Sequence, residues 1–211
     1  MAGTQNTVKK RSNGLETSRR ILEVAIEEME RSGPAKFNLD RVIERSAISR
    51  SSVYHHYGNR EGVIIAVELH QLAQSMLSTD REARVALESI TDASEAWLMI
   101  ELSMRSAAST AQKATRIRRI SSFAATEHAP AVKEALRTLQ EKAAVEFSET
   151  LRLVRDRGFI DPIEPIEGTA NFIQSFLLGR ILVDVMEDDE AEEQWHQAAM
   201  TAIRALLRPR I

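Results

Sequence analysis

Apolar residues recur at spacings of three and four along most of the chain, and no alternating pattern persists. The first such stripe predicts a helix over residues 18–32, with Thr17 as its N-cap, and consists of Ile21, Leu22, Ala25, Ile26 and Met29. Glycine and proline are few, at 8 and 5 of 211 residues, so helix breaks are widely spaced. The pattern predicts an all-α protein.

Two short capped helices follow the first one. Asn38 precedes a predicted helix over residues 39–46, and Ser49 precedes a second that ends at Gly58. Each cap is flanked by apolar residues at the spacing of a hydrophobic staple, namely Phe37 with Val42 and Ile48 with Val53. A turn of about three residues between two such helices indicates a helix-turn-helix motif.

Longer amphipathic segments make up the rest of the chain. Asn59 can cap the first of them, which begins at Arg60, and Thr91 can cap the second. The predicted segments are residues 60–78, 92–109, 112–127, 131–157, 166–186 and 191–207.

Composition and charge limit the classes of protein. The chain has no cysteine and no apolar run near the roughly 18 residues of a membrane span, so we expect a soluble cytoplasmic protein without disulfides. The formal net charge is -3, but it is unevenly distributed. Residues 1–60 hold 11 basic and 7 acidic side chains, a net charge of +4, against 17 and 24 in the remainder. A basic N-terminal segment joined to an acidic remainder is typical of a protein whose N-terminal module binds a polyanion.

The sequence ISRSSVYHHYGNRE, residues 48–61, raises the question of a metal site. Residues on a helix share a face only at spacings of three or four, and His55 and His56 are adjacent. They cannot chelate one ion together, and no carboxylate or histidine cluster surrounds the other histidines. We therefore expect no metal and no cofactor.

A surface built for contact is the other interpretation of this segment. A helical projection points Val53 and Tyr57 inward, and the outward or N-terminal side chains suit a DNA major groove: Arg50, Ser51, Ser52, Tyr54 and His55. Arg60 would contact a flanking phosphate, and Lys9 and Lys10 would form a basic arm. The alternative is a short polar surface helix preceded by a solvated tail.

These segments resemble the N-terminal DNA-binding domain of TetR-family transcriptional regulators. The matching stretches are TSRRILEVAIEEMERSG, FNLDRVIERSAIS and RSSVYHHYGNREGVIIAV. The resemblance implies a flexible basic arm at residues 1–16, a three-helix helix-turn-helix domain at 17–62, and a larger helical domain for effector binding and dimerisation at 63–211. The family often has glycine where this chain has Ala47, and glycine then threonine where it has Ser51 and Ser52.

The larger domain offers candidates for both of its implied roles. Large apolar side chains that could line an effector pocket are Trp97, Met99, Met104, Phe123 and Phe147, although side chains of this kind are more often ordinary core. The last two helices are candidates for a dimer interface through Phe172, Phe176, Gly179, Arg180, Val183, Trp195, Ala199 and Ile203. They could instead cover the core of their own subunit.

The function that these features predict is non-enzymatic. We expect a homodimeric, ligand-responsive repressor that binds a palindromic DNA operator, associates with the nucleoid when bound, and is released by a small apolar or amphipathic effector. Two alternatives stay open: an all-helical enzyme or metal-binding bundle with no DNA role, and a dimeric DNA-binding protein without an effector. Against the first alternative, the sequence contains neither a nucleophile motif nor a phosphate loop.

Overall fold

The computed structural model describes the backbone of residues 2–211 and the side chains of residues 13–74 and 84–211. Its described helices are α1 (Ala2–Lys36), α2 (Leu39–Ser46), α3 (Arg50–Tyr57), α4 (Arg60–Ser89), α5 (Ala93–Ala107), α6 (Lys113–Ala125), α7 (Pro130–Asp156), α8 (Ile166–Gly179), α9 (Ile181–Asp184) and α10 (Asp189–Leu207). A short 3-10 helix, Thr110–Gln112, precedes α6. The prediction of an all-α protein is confirmed.

The start of the chain differs from the sequence prediction. Thr17 lies inside α1 and its hydroxyl donates to the carbonyl oxygen of Asn13 at 2.8 Å, so it is not an N-cap. The predicted arm over residues 1–16 overlaps α1, and the side chains of Lys9 and Lys10 lie outside the described residues. Gly33, with φ 69° and ψ 169°, interrupts the helical backbone at the predicted end of the first helix.

Three other boundaries need correction. α4 continues to Ser89, past the break predicted after residue 78. The cap of α5 is Asp92 rather than Thr91, because its carboxylate accepts from the backbone N–H groups of Ser94 and Glu95. The predicted helix over residues 166–186 is divided at Arg180 into α8 and the short α9.

The chain divides into two compact units. The first comprises residues 1–72 and 121–139, so it includes the predicted helix-turn-helix domain together with parts of α6 and α7. Its described core has members on α1 to α4 and α7, among them Ile21, Val42, Val53, Val67 and Val132, all fully buried.

Gly62 shows how tightly this first core is packed. A Cβ atom placed on Gly62 would lie 1.9 Å from the carbonyl oxygen of Tyr57, so no larger residue fits in the first turn of α4, next to the end of α3. Asn59 caps α4 as predicted, since its side-chain oxygen accepts from the backbone N–H of Gly62 at 2.9 Å.

The second unit comprises residues 73–120 and 140–211 and has its own apolar core. Leu151 and Val154 of α7 pack there with residues of α5, α8 and α10, including Trp97, Ile173 and Ile203. The backbone N–H of Asp161 donates to the carbonyl oxygen of Leu207 at 3.0 Å, which fastens the C-terminal end of α10 to the segment after α7.

Candidate nucleic-acid interface and ligand cavity

The predicted helix-turn-helix is held by the predicted caps. The side-chain oxygen of Asn38 accepts from the backbone N–H groups of Asp40 at 2.9 Å and Arg41 at 3.3 Å, and the hydroxyl of Ser49 accepts from that of Ser52 at 3.2 Å. Each cap satisfies donors that the helix leaves unpaired. The start positions of α2 and α3 therefore follow from side chains beside them in the sequence.

Ala47 makes the turn between α2 and α3 in the left-handed region. It has φ 55° and ψ 30°, and its N–H donates to the carbonyl oxygen of Glu44 at 3.2 Å. Alanine in this conformation costs about 1 kcal/mol relative to glycine, which meets no Cβ penalty. Alanine in place of glycine at position 47 leaves the motif intact, because the caps of α2 and α3 are formed and Val42 and Val53 are buried.

Val53 and Tyr57 fasten α3 to the core of the first unit. Both are buried, and the Tyr57 hydroxyl donates to the carbonyl oxygen of Ser18 at 2.7 Å. Burial raises the pKa of Tyr57, so the phenol stays protonated and continues to donate. Anchors four residues apart fix which face of α3 points outward.

The outward face of α3 carries the predicted polar side chains. Arg50, Ser51, Tyr54 and His55 are exposed, while Ser52 is half-buried. The guanidinium of Arg50 donates to the carboxylate of Asp40 on α2 and, at 3.4 Å, to the hydroxyl of Tyr54. The structure thus brings together a cation, two aromatic rings and short hydroxyls on one side of a short helix.

His56 does not belong to this outward face. It is half-buried, and its ring centroid lies 5.3 Å from that of His55. Burial, with a smaller contribution from His55, lowers the pKa of His56 and favours its neutral form. Within the part of the chain that the structure describes, no group of three His, Asp or Glu side chains could hold a metal ion.

Arg60, the predicted phosphate contact, is exposed and also binds the backbone before α2. Its Nε and Nη2 donate to the carbonyl oxygen of Phe37 at 3.2 and 3.1 Å, and Nη2 also donates to that of Pro34 at 3.0 Å. Its guanidinium carbon lies 5.7 Å from the centre of the Phe37 ring. Arg60 therefore positions the connection between α1 and α2.

Two residues that the sequence analysis did not select, Lys36 and Asp40, line a shallow groove beside α3. The groove has a volume of about 380 Å³ and is also lined by Arg50, Tyr54 and Arg60. Lys36 follows the predicted end of the first helix, and Asp40 lies ten residues before Arg50. The turn at Ala47 and the contacts of Arg60 with the backbone before α2 involve residues far apart in the sequence, so no local pattern identifies the groove.

The second unit contains a cavity of about 240 Å³ between α5 and α7. Three predicted pocket residues line it, namely Met99, Met104 and Phe147. Two others do not. Trp97 is buried in the core, where its indole N–H donates to Glu101 at 2.7 Å, and Phe123 is about half exposed on the first unit.

Part of the predicted dimer interface is exposed on α8 to α10. Phe172 is 54% exposed, and its ring stacks on that of Phe176, which stacks on Trp195. Gly179 is exposed with open space where a Cβ would lie, and Val183 is half-buried. Further large apolar side chains are exposed beside them, namely Leu182, Val185 and Met186.

Three predicted interface residues need correction because this chain already buries them. Ala199 and Ile203 are almost wholly buried, Ile203 in the core of the second unit. Arg180 has no exposed side-chain surface and donates to Asp184 at 2.9 Å and to Glu192. Asp184 also accepts two bonds, at 2.7 and 2.8 Å, from Arg116 of α6. Arg180 therefore belongs to an internal ion-pair network.

The capped pair α2 and α3, with an anchored inner face and a polar outer face, defines a helix-turn-helix protein. Residues 21–67 match the family model described as bacterial regulatory proteins, tetR family. This match identifies the N-terminal segment as a TetR-type DNA-binding domain and supports a transcriptional regulator.

Solved structures show the same fold over nearly the whole chain. A TetR-family transcriptional regulator from Pectobacterium atrosepticum is 19% identical, with 95% of this chain and 99% of that chain covered and a TM-score of 0.53. A TetR transcription regulator from Haloarcula marismortui is 14% identical, with 91% and 98% covered and a TM-score of 0.53. The reduced form of NemR from E. coli is 12% identical, with 93% and 100% covered and a TM-score of 0.54.

No curated protein sequence matches the chain. Among the described helices, none has the length and apolar character needed to cross a bilayer.

Proposed function

We propose that this protein is a TetR-family repressor that binds a palindromic operator as a homodimer and is released by a small effector. The observation that carries the proposal is the outward face of α3, where Arg50, Ser51, Tyr54 and His55 are exposed while Val53 and Tyr57 anchor the helix. Arginine can donate to guanine edges, and hydroxyls and aromatic rings contact phosphates and base methyl groups.

The exposed apolar surface of α8 to α10 supports the homodimer. Phe172, Leu182 and Val185 are each more than half exposed, whereas charged residues usually cover such a surface on a monomer. A twofold interface places the same patch on both subunits. Two copies of α3 could then enter major grooves about 34 Å apart, one helical turn of DNA.

The cavity between α5 and α7 supports control by an effector. Leu87, near the C-terminal end of α4, lines the cavity, and α4 begins at Arg60 directly after α3 and Asn59. A ligand that binds one arrangement of α4 better than another would change the separation of the two recognition helices. The proposal places the protein in the cytoplasm, at the nucleoid when it is bound to DNA.

The DNA role is tested by selecting duplexes from a random pool with the purified chain and measuring affinity for the selected sequence. The double variant Arg50→Ala, Tyr54→Ala should bind that sequence at least roughly 100-fold more weakly, since each specific contact contributes about 1–3 kcal/mol. Arg152→Ala is the matched control, because Arg152 lies in the second unit and is paired with Glu167 on α8. Unchanged affinity in the double variant contradicts the assigned interface.

A further inference from the structure

The size of the cavity between α5 and α7 restricts what it can hold. Its volume is about 240 Å³. An apolar cavity of roughly 150 Å³ in another protein accommodates benzene, whereas drug-sized ligands occupy roughly 300–1,000 Å³. The cavity therefore has space for one ring with a short substituent, or for an alkyl chain of similar volume, and excludes a fused three-ring system.

The lining of the cavity contains no charged side chain. Its polar side chains are Ser103 and Thr150, and the others are apolar, including Leu87, Met99, Met104, Phe147, Val154 and Leu207. The hydroxyl of Thr150 already donates to the carbonyl oxygen of Glu146 at 3.0 Å. A carboxylate or an ammonium group inside the cavity would lose part of its hydration and find no counter-ion in the lining.

A buried cation that donates to the backbone of a lining residue does not alter this conclusion. Arg116 donates through Nη1 to the carbonyl oxygen of Ala107, a lining residue, at 3.1 Å. Its Nε and Nη2 donate to Asp184 at 2.7 and 2.8 Å, and Nη2 also donates to the carbonyl oxygen of Ser109 at 3.0 Å. Each nitrogen of this guanidinium is engaged within the chain, so Arg116 is held away from a ligand.

The cavity has a polar side and an apolar floor. Ser103 and Ala107 lie four residues apart on α5, are both exposed, and so form an opening to solvent. Leu151, Val154 and Leu207, which are almost fully buried, form the floor. A ligand with one hydrogen-bonding group would place that group at the Ser103 hydroxyl and its apolar part on the floor.

We infer that the effector is a small uncharged amphiphile: one ring, or a short alkyl chain, carrying a single hydroxyl or carbonyl group that hydrogen-bonds to Ser103. The inference rests on the proposed ligand-responsive function and names the chemical class for its cavity. The flexible side chains of Met99 and Met104 adjust the walls to the shape of the ring.

The class is tested on the full chain with matched probes in a thermal-shift titration. Benzyl alcohol, benzoate and benzylamine share one carbon skeleton and differ in charge, toluene lacks the hydrogen-bonding group, and 9-anthracenemethanol is too large. At tenfold excess over its dissociation constant, benzyl alcohol should raise Tm by about 3 °C. Toluene should bind more weakly, and the charged and three-ring probes should leave Tm unchanged.

Two variants locate the bound probe. Ser103→Ala should lower the affinity for benzyl alcohol roughly five- to tenfold and leave the affinity for toluene unchanged, because only the hydrogen bond is lost. Ala107→Phe should close the opening and abolish both responses. Ser106→Ala is the control, since Ser106 is an exposed serine of α5 outside the cavity lining. It should respond like the wild type.

The outcomes separate the inference from the proposed function. Stronger binding of benzoate, benzylamine or 9-anthracenemethanol than of benzyl alcohol overturns the inference, as does a panel without any response. Benzyl alcohol that binds through Ser103 yet leaves affinity for the selected duplex unchanged supports the ligand class and contradicts effector release.

Discussion

The hydroxyl of Tyr57 donates a 2.7 Å hydrogen bond to the backbone carbonyl oxygen of Ser18, and this bond ties the last residue of α3 to α1. The ring is almost fully buried beside Val53, so orientation of the recognition helix depends on packing and on one buried polar contact. A rigid inner face is what allows a short helix to present an ordered outer face to DNA.

Tyr57→Phe tests this anchor. The variant loses a buried hydrogen bond and leaves the Ser18 carbonyl oxygen without it, so the free energy of unfolding should fall by about 1 kcal/mol. Chemical denaturation measures the change. Tyr54→Phe, which removes an exposed hydroxyl from the same helix, should stay within about 0.5 kcal/mol of the wild type. Equal stability of both variants contradicts the anchoring role.

The pair formed by Arg50 and Asp40 predicts an unusual response to the loss of a charge. Asp40→Asn removes a negative charge from the groove beside α3 and frees the guanidinium of Arg50. Affinity for random duplex DNA should rise several-fold, and the slope of log K against log salt should become steeper by about 1. Glu167→Gln, the carboxylate of the pair with Arg152, should change neither quantity. Weaker binding of random DNA by Asp40→Asn would contradict this reading of the pair.

The buried network around Asp184 predicts a large loss of stability. Asp184→Ala leaves the guanidinium groups of Arg116 and Arg180 without their shared carboxylate, and both are almost fully buried. Removing one partner from such a network destabilises a protein by about 3–5 kcal/mol. Glu134→Ala, which breaks an exposed pair with Arg137, should change stability by less than about 1 kcal/mol. Denaturation midpoints that shift equally in the two variants exclude a structural role for the network.

His196 predicts a dependence of stability on pH. Burial first, then Arg105 and Arg180, lowers the pKa of His196 below 6.5. The folded state therefore binds a proton at His196 less well than the unfolded state does. The neutral ring's contribution to the free energy of unfolding is present above pH 6.5 and is lost as the pH falls below that value. Between about pH 7 and pH 5, His196→Gln should lose less stability than the wild type. A curve for His196→Gln that runs parallel to the wild-type curve would refute the assignment.

Local signals predicted the N-terminal motif well. The caps Asn38, Ser49 and Asn59 lie beside the helices they begin, and a cap acts on backbone donors two or three residues away. A sequence pattern that spans only a few residues is therefore sufficient to locate α2 and α3.

Long-range contacts account for what the sequence could not predict. From the sequence, Arg180 and Asp184 form an ordinary surface pair on one helix. In the structure both are buried, and Arg116, 68 residues before Asp184, joins them in a network. The backbone contacts of Arg60 depend on where the chain returns after Gly33. The cavity depends on α5, α7 and Leu207 of α10 meeting, so only some of its residues could be selected by size and polarity.

Hydroxyl-radical footprinting on the selected duplex, with the mass of the complex measured alongside, tests the central claim most directly. Two subunits that present twin copies of α3 should protect two patches on one face of the DNA, about 34 Å apart, in a complex of two chains per duplex. Arg50→Ala should remove both patches together. A single protected patch bound by one chain would contradict the account.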